Sequence, residues 1–187
     1  MPYPGGHNHD IEIENAKQEV LEQVAKLSGD TPVNAVSADG TITFTGTVSD
    51  GELVTIGDDV YEFDTGDGVA EGNILVDVSG GQTASDAVTA LNTAINANAT
   101  EDVTSEEGTG DTVDVTYSIK GTVGNDIETT TDVDNGSWGD GTLTGGVDGT
   151  VGEKFELKAD DDYLYIAVEE NTINDTNWRR IDLGSAY

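Results

Sequence analysis

Cysteine is absent from the 187-residue chain, which excludes a disulfide, a thiolate nucleophile and a cysteine-ligated metal. Histidine is nearly absent: His7 and His9 are the only two, and both lie in the first ten residues. A hydrolase or transferase built on this chain would have to draw on carboxylates, Lys or Tyr. No stretch approaches the roughly 20 apolar residues that span a bilayer. Met1–Asp10 has no basic residue ahead of an apolar run, so a secretory leader is not expected there. Basic residues are scarce as well, seven against 38 acidic, for a formal net charge of −31. Between Lys26 and Lys120 there is neither Lys nor Arg. Such a surface repels phosphate backbones and anionic lipid, so neither nucleic acid nor membrane is expected as a partner. The acidity fits adaptation to salty water as well as docking on a basic partner.

What is present in excess is glycine. The chain has 24 glycines against three prolines, nearly twice the usual glycine share of about 7%. With only 35% hydrophobic and 6% aromatic residues, the core must be modest. Glycine beside many Thr and Val points to short strands joined by tight turns. Asp-Gly pairs at 39–40, 50–51, 67–68, 140–141 and 148–149, with Asn135-Gly136, are read as turns taking positive φ.

Three segments follow from the pattern. Residues 1–38 form an arm, a helix and a linker. In the helix, Ile13, Ala16, Val20, Val24 and Leu27 recur at spacings of three and four, with Leu21 beside Val20. Asp10 is a candidate N-cap and Gly29 a candidate C-cap. The stripe suits packing on the chain's own domain or docking on a neighbouring subunit, and docking is the reading preferred.

Residues 39–149 form an acidic β-rich module. Ile42 and Phe44 alternate with threonines, and Leu53–Ile56 and Val60–Phe63 flank the turn at Gly57-Asp58-Asp59. Ile74, Val76 and Val78 alternate again, with Leu75 on the opposite face. A helix over Thr83–Ala97 interrupts the strands, its small residues letting it lie close to a sheet. Strands resume at Val113–Ile119, with weaker ones near Ile127–Thr131 and Thr142–Leu143. Residues 150–187 form a small C-terminal β unit with strands at Lys154–Ala159, Tyr163–Val168 and Trp178–Leu183. The fold expected is mainly β with minor α: an antiparallel sandwich or meander with one packed helix, preceded by an N-terminal helix.

Chemistry is sparse. No phosphate-binding loop and no Gly-x-Ser-x-Gly elbow are present. Gly66-Asp67-Gly68 lies among strand turns without a dinucleotide-binding helix after it. Asp64 with Asp67-Gly68, and Asp132 and Asp134 with Asn135-Gly136, have part of the spacing of a calcium loop but lack its closing Glu. They are read first as acidic turn residues, and no cofactor, metal ligand or catalytic residue is assigned. His7-Asn8-His9 is read as part of a flexible arm. The distinctive local cluster is Trp178 with Arg179 and Arg180, residue types enriched at binding hot spots.

Two stretches carry a resemblance. Gly40-Thr41-Ile42-Thr43-Phe44-Thr45-Gly46, Asp50–Gly57 and Val60–Phe63, then a helix like Ala84–Ala97, Gly121–Ile127 and Gly136–Gly146, resemble a small module of tailed-bacteriophage structural proteins. The tail Tyr163–Val168 with Asn177–Arg180 resembles the closing segment of phage fibre and virion-surface proteins. The resemblance covers most of Gly40–Leu183 and implies a non-enzymatic virion component at the particle surface. Expected partners are the major capsid protein or other virion subunits, with a homo-oligomer, a trimer among the candidates. The reading is a capsid-decoration or head-fibre protein attached through its N-terminal region. Partner-contacting residues would be Ile13, Val20, Leu21, Val24 and Leu27, with Trp178, Arg179 and Arg180. A tail-fibre or baseplate subunit is the alternative. From another class, the alternative is a secreted halophilic adhesion module binding sugar or calcium.

Overall fold

A computed structural model describes residues 31–98, 102–160 and 163–182. The helix expected over residues 10–27, with Ile13, Val20, Leu21, Val24 and Leu27, lies outside the described residues, as do His7 and His9. The described chain divides into two units, one of residues 35–149 with 173–175. The other contains residues 31–34, 150–160, 163–172 and 176–182. Among the described residues the protein is mainly β, with one α-helix packed on the sheets.

The larger unit holds two four-stranded sheets. The first has the order β5-β6-β1-β8, from β1 (Asp39–Phe44), β5 (Val103–Glu107), β6 (Thr112–Tyr117) and β8 (Gly136–Trp138). The second has the order β4-β3-β2-β7, from β2 (Leu53–Ile56), β3 (Asp59–Asp64), β4 (Ile74–Asp77) and β7 (Thr129–Thr131). The period-two pattern explains the burial. Ile42 and Phe44 are buried while Thr41, Thr43 and Thr45 beside them are not, and Val54 and Ile56 repeat this in β2. Phe44 of one sheet meets Phe63 of the other edge-on, ring centroids 5.9 Å apart, within one shared core.

Helix α1 (Ala84–Ala97) closes this core with Ala87, Val88, Leu91, Ala94 and Ile95. Its start is a capping box. The Thr83 hydroxyl accepts the Asp86 N–H, and the Asp86 carboxylate accepts the Thr83 N–H at 3.0 Å.

Three features depart from the sequence reading. β3 and β4 are parallel rather than antiparallel, with Phe63 opposite Val76. The chain returns through residues 65–73, where Gly66, Gly68 and Gly72 take φ of 125°, 98° and 95°. Strands β5 and β8 carry no apolar alternation and are held by pairing with β6 and β1. Of the glycines in the Asp-Gly and Asn-Gly pairs, only Gly51 and Gly68 have positive φ. Gly40 lies inside β1, where a Cβ would sit 2.8 Å from Leu143 Cδ2, so that glycine serves close packing.

The smaller unit is a three-stranded antiparallel sheet in the order β11-β10-β9, from β9 (Leu157–Ala159), β10 (Tyr163–Ala167) and β11 (Trp178–Asp182). One face buries Tyr165, Ala167 and Trp178, with Tyr163 packed against them. β9 starts three residues later than the alternation suggests. Phe155 takes φ 67°, and Phe155 and Glu156 both face Ala167 across the ladder. This is a bulge, and it ends the regular pairing.

Candidate functional site

Several acidic residues of the larger unit close its turns. Asp64, only 8% exposed, accepts the N–H groups of Gly66, Asp67 and Gly68 at 2.8–3.1 Å through one oxygen. Asp50 accepts both the N–H and the hydroxyl of Thr65, each at 2.7 Å. Glu62 takes the Ala70 N–H and the Asn73 amide, and Asp148 takes the Thr122 N–H and hydroxyl. A carboxylate that accepts backbone N–H groups in a Gly-rich turn replaces water at donors the strands leave unpaired.

Asp50, Asp64 and Asp67 each bring a carboxylate oxygen within 4.8 Å of the other two. The Thr65 N–H and hydroxyl hold Asp50 below the usual carboxylate range. The Asp50 charge, together with the hydrogen bond that the protonated Asp67 carboxyl donates to it, pushes Asp67 up. Oxygen donors so placed are the chemistry of a hard cation, although Asp64 and Asp50 already serve the turn. The second partial calcium spacing does not converge. Asp132 accepts the Leu53 N–H at 2.6 Å, the Asp134 N–H donates to Glu52, and the Asn135 amide donates to the Thr47 carbonyl.

An open groove of about 660 Å³ runs between β4 and α1, floored by Leu75, Ala90, Ala94 and Ala97 and edged by Asp77 and Asp86. The Ser79 hydroxyl and N–H hold the Asp77 carboxyl below its usual range. The Thr83 hydroxyl and N–H do the same for Asp86. Both are therefore anionic at neutral pH, whereas a general acid needs a raised pKa. No helix among the described residues is long and apolar enough to cross a membrane.

Trp178, expected at a partner surface, is buried in its own unit at 3% exposure. Its indole N–H donates to the Thr150 carbonyl at 2.7 Å, and Lys158 lies over its ring. Arg179 and Arg180 are exposed. Arg179 donates to the carbonyls of Thr176 and Trp178, and the Arg180 guanidinium stacks 4.6 Å from the Tyr163 ring centroid. The strand period separates the three: Trp178 and Arg180 share one face of β11, and Arg179 takes the other. Missed by the sequence reading was Asp160, which accepts hydrogen bonds from the Thr31 hydroxyl at 2.9 Å and the Tyr165 phenol at 2.7 Å. The Asp160 carboxylate raises the Tyr165 pKa.

Comparison with protein-family models, curated proteins and solved structures returns no match for the chain.

Proposed function

We propose that this protein is a non-enzymatic structural component of a tailed-phage particle, a capsid-decoration or head-fibre protein. It attaches to the major capsid protein through the region before Thr31, and its acidic β module faces solvent. What supports the non-enzymatic part is the lack of a general acid among the described carboxylates of the groove. Those edging the groove of the larger unit are held ionised by their own turn and cap donors, and offer no proton donor at neutral pH. The virion part rests on the resemblance of Gly40–Leu183 to phage surface modules. A dense shell of like charge also favours a role exposed to solvent, where it keeps copies on a crowded surface apart.

The test is co-sedimentation with capsids. The full chain is expected to pellet with particles, and a chain lacking residues 1–28 is expected to stay in the supernatant while its larger unit remains folded by circular dichroism. Normal co-sedimentation of the shortened chain overturns attachment through this region. Immunogold labelling of particles separates head from tail, and labelling confined to the tail would favour a fibre or baseplate subunit. The Asp50–Asp64–Asp67 group favours a second reading, a calcium-binding adhesion module, which predicts a calcium-dependent rise in melting temperature and no binding to particles.

A further inference from the structure

The three-stranded sheet has a second face, and it is apolar. The register places Leu157, Ala159, Leu164, Ile166 and Ile181 together on it, with Arg179 at the rim. Among the described residues, the core of this unit takes in only the opposite face, around Tyr165, Ala167 and Trp178. Ile181 is 55% exposed and Leu157 38%. A three-stranded sheet with one covered face is marginal in water, and a second layer over the bare face is the usual remedy.

We infer that residues 10–27 of the same chain cover this face as an amphipathic helix. The place where the described chain begins argues for it. Thr31 is tied by its hydroxyl to Asp160 at the end of β9, an edge strand, on the side where Tyr165 bonds the same carboxylate, so the chain before Thr31 reaches the bare face by passing round that edge. Val33 and Thr150 exchange hydrogen bonds, and Asn34 bonds to Trp178, so residues 31–34 run along this unit. From Thr31, Leu27 is four residues away, a reach of at most about 14 Å. Neighbouring strands lie only about 5 Å apart, so the sheet is within that reach. A helix of this length measures about 27 Å, enough to cross the strands. Its stripe of Ile13, Val20, Leu21, Val24 and Leu27 supplies the apolar complement. Glu12 and Glu19, which flank the stripe at helical spacing, complement the charge of Arg179.

This inference does not rest on the virion reading, and a chain that failed to bind capsids would leave it intact. If both hold, the apolar stripe is occupied within the chain, and the surface left for a capsid is the arm Met1–His9 and the polar side of the helix.

The test places the photo-crosslinker p-benzoylphenylalanine at Leu157 in the full chain. That position is exposed enough to accept it. The expected product is a band at monomer mass whose cross-linked peptide maps within residues 10–27. Cross-links to another region, cross-links between two chains, or none at all would each overturn the proposal, the second pointing to a further copy as the occupant. In a second measurement, Ile166→Asp in the full chain is expected to speed hydrogen exchange across residues 10–27 by at least about tenfold. Unchanged exchange there overturns the proposal.

Discussion

Gly152 lies directly beneath the indole of Trp178, so close that a Cβ on residue 152 would collide with ring atom Cζ2. The same ring donates its N–H to the carbonyl of Thr150, two residues earlier. The segment entering the small sheet is therefore fixed to β11 by one aromatic side chain, through contact and hydrogen bond together.

Gly152→Ala is accordingly expected to destabilise the small unit by about 1–3 kcal/mol, the usual cost of overpacking. Trp178→Phe shrinks the ring and removes one of the two donors to the Thr150 carbonyl, the Asn171 amide being the other; the void it leaves should cost about 2–3 kcal/mol, read by circular dichroism because this variant lacks the fluorophore. The other tryptophan, Trp138, belongs to the larger unit. With Trp138→Phe as background, Trp178 fluorescence follows the small unit in a urea titration. An unchanged midpoint in Gly152→Ala would contradict the packing described.

Phe155 holds a left-handed backbone conformation at φ 67° in the bulge before β9. A side chain there costs about 1–2 kcal/mol, partly offset by the extra chain entropy glycine brings to the unfolded state. Phe155→Gly is thus expected to raise stability by up to about 1 kcal/mol, although it removes the contact with Lys154. The same urea titration measures it.

The capping box of α1 gives a pH signature. Thr83→Ala should cost about 1 kcal/mol by orphaning first-turn donors. The folded pKa of Asp86 lies below its ordinary value because Thr83 donates to it. Its contribution is therefore present above the unfolded pKa near 3.8 and lost as pH falls through the folded value. In Thr83→Ala the stability of the larger unit should fall less steeply between pH 5 and pH 3 than in the parent, about the range where Asp titrates.

Asp67 has the opposite sign. Repulsion from Asp50 raises its pKa, so ionising it weakens the folded state, and the penalty is absent at low pH and complete above the folded pKa. Asp67→Asn should raise the melting temperature at pH 7. The gain should shrink in high salt and vanish in acid, as thermal melts across pH and sodium chloride would measure.

Much of the larger unit was legible in the sequence because its signals are local. Ile42 with Phe44, Val54 with Ile56, and Val76 with Val78 alternate at the period of a strand, and all are buried. Thr83 announces the helix start by hydrogen-bonding three residues ahead. Strands β5 and β8 were not legible, since Thr-Ser-Glu-Glu and Gly-Ser-Trp contain no alternation. Their partners in β6 and β1 impose the extended form on them.

The tail shows the same division. Composition and spacing by themselves determined a mainly β, cysteine-free, strongly acidic chain with one helix between strands and three short strands at its end. Trp178, Arg179 and Arg180 read as one cluster because they are adjacent in the chain. Tertiary structure decided that Trp178 is core, that Arg180 covers Tyr163, and that Arg179 borders the bare face. It also decided that Asp50 meets Asp64 and Asp67. Periodicity reports how side chains alternate along one strand. It does not report which face finds a covering layer or which distant turn a carboxylate will reach, because strand pairing and sheet packing set those long-range contacts.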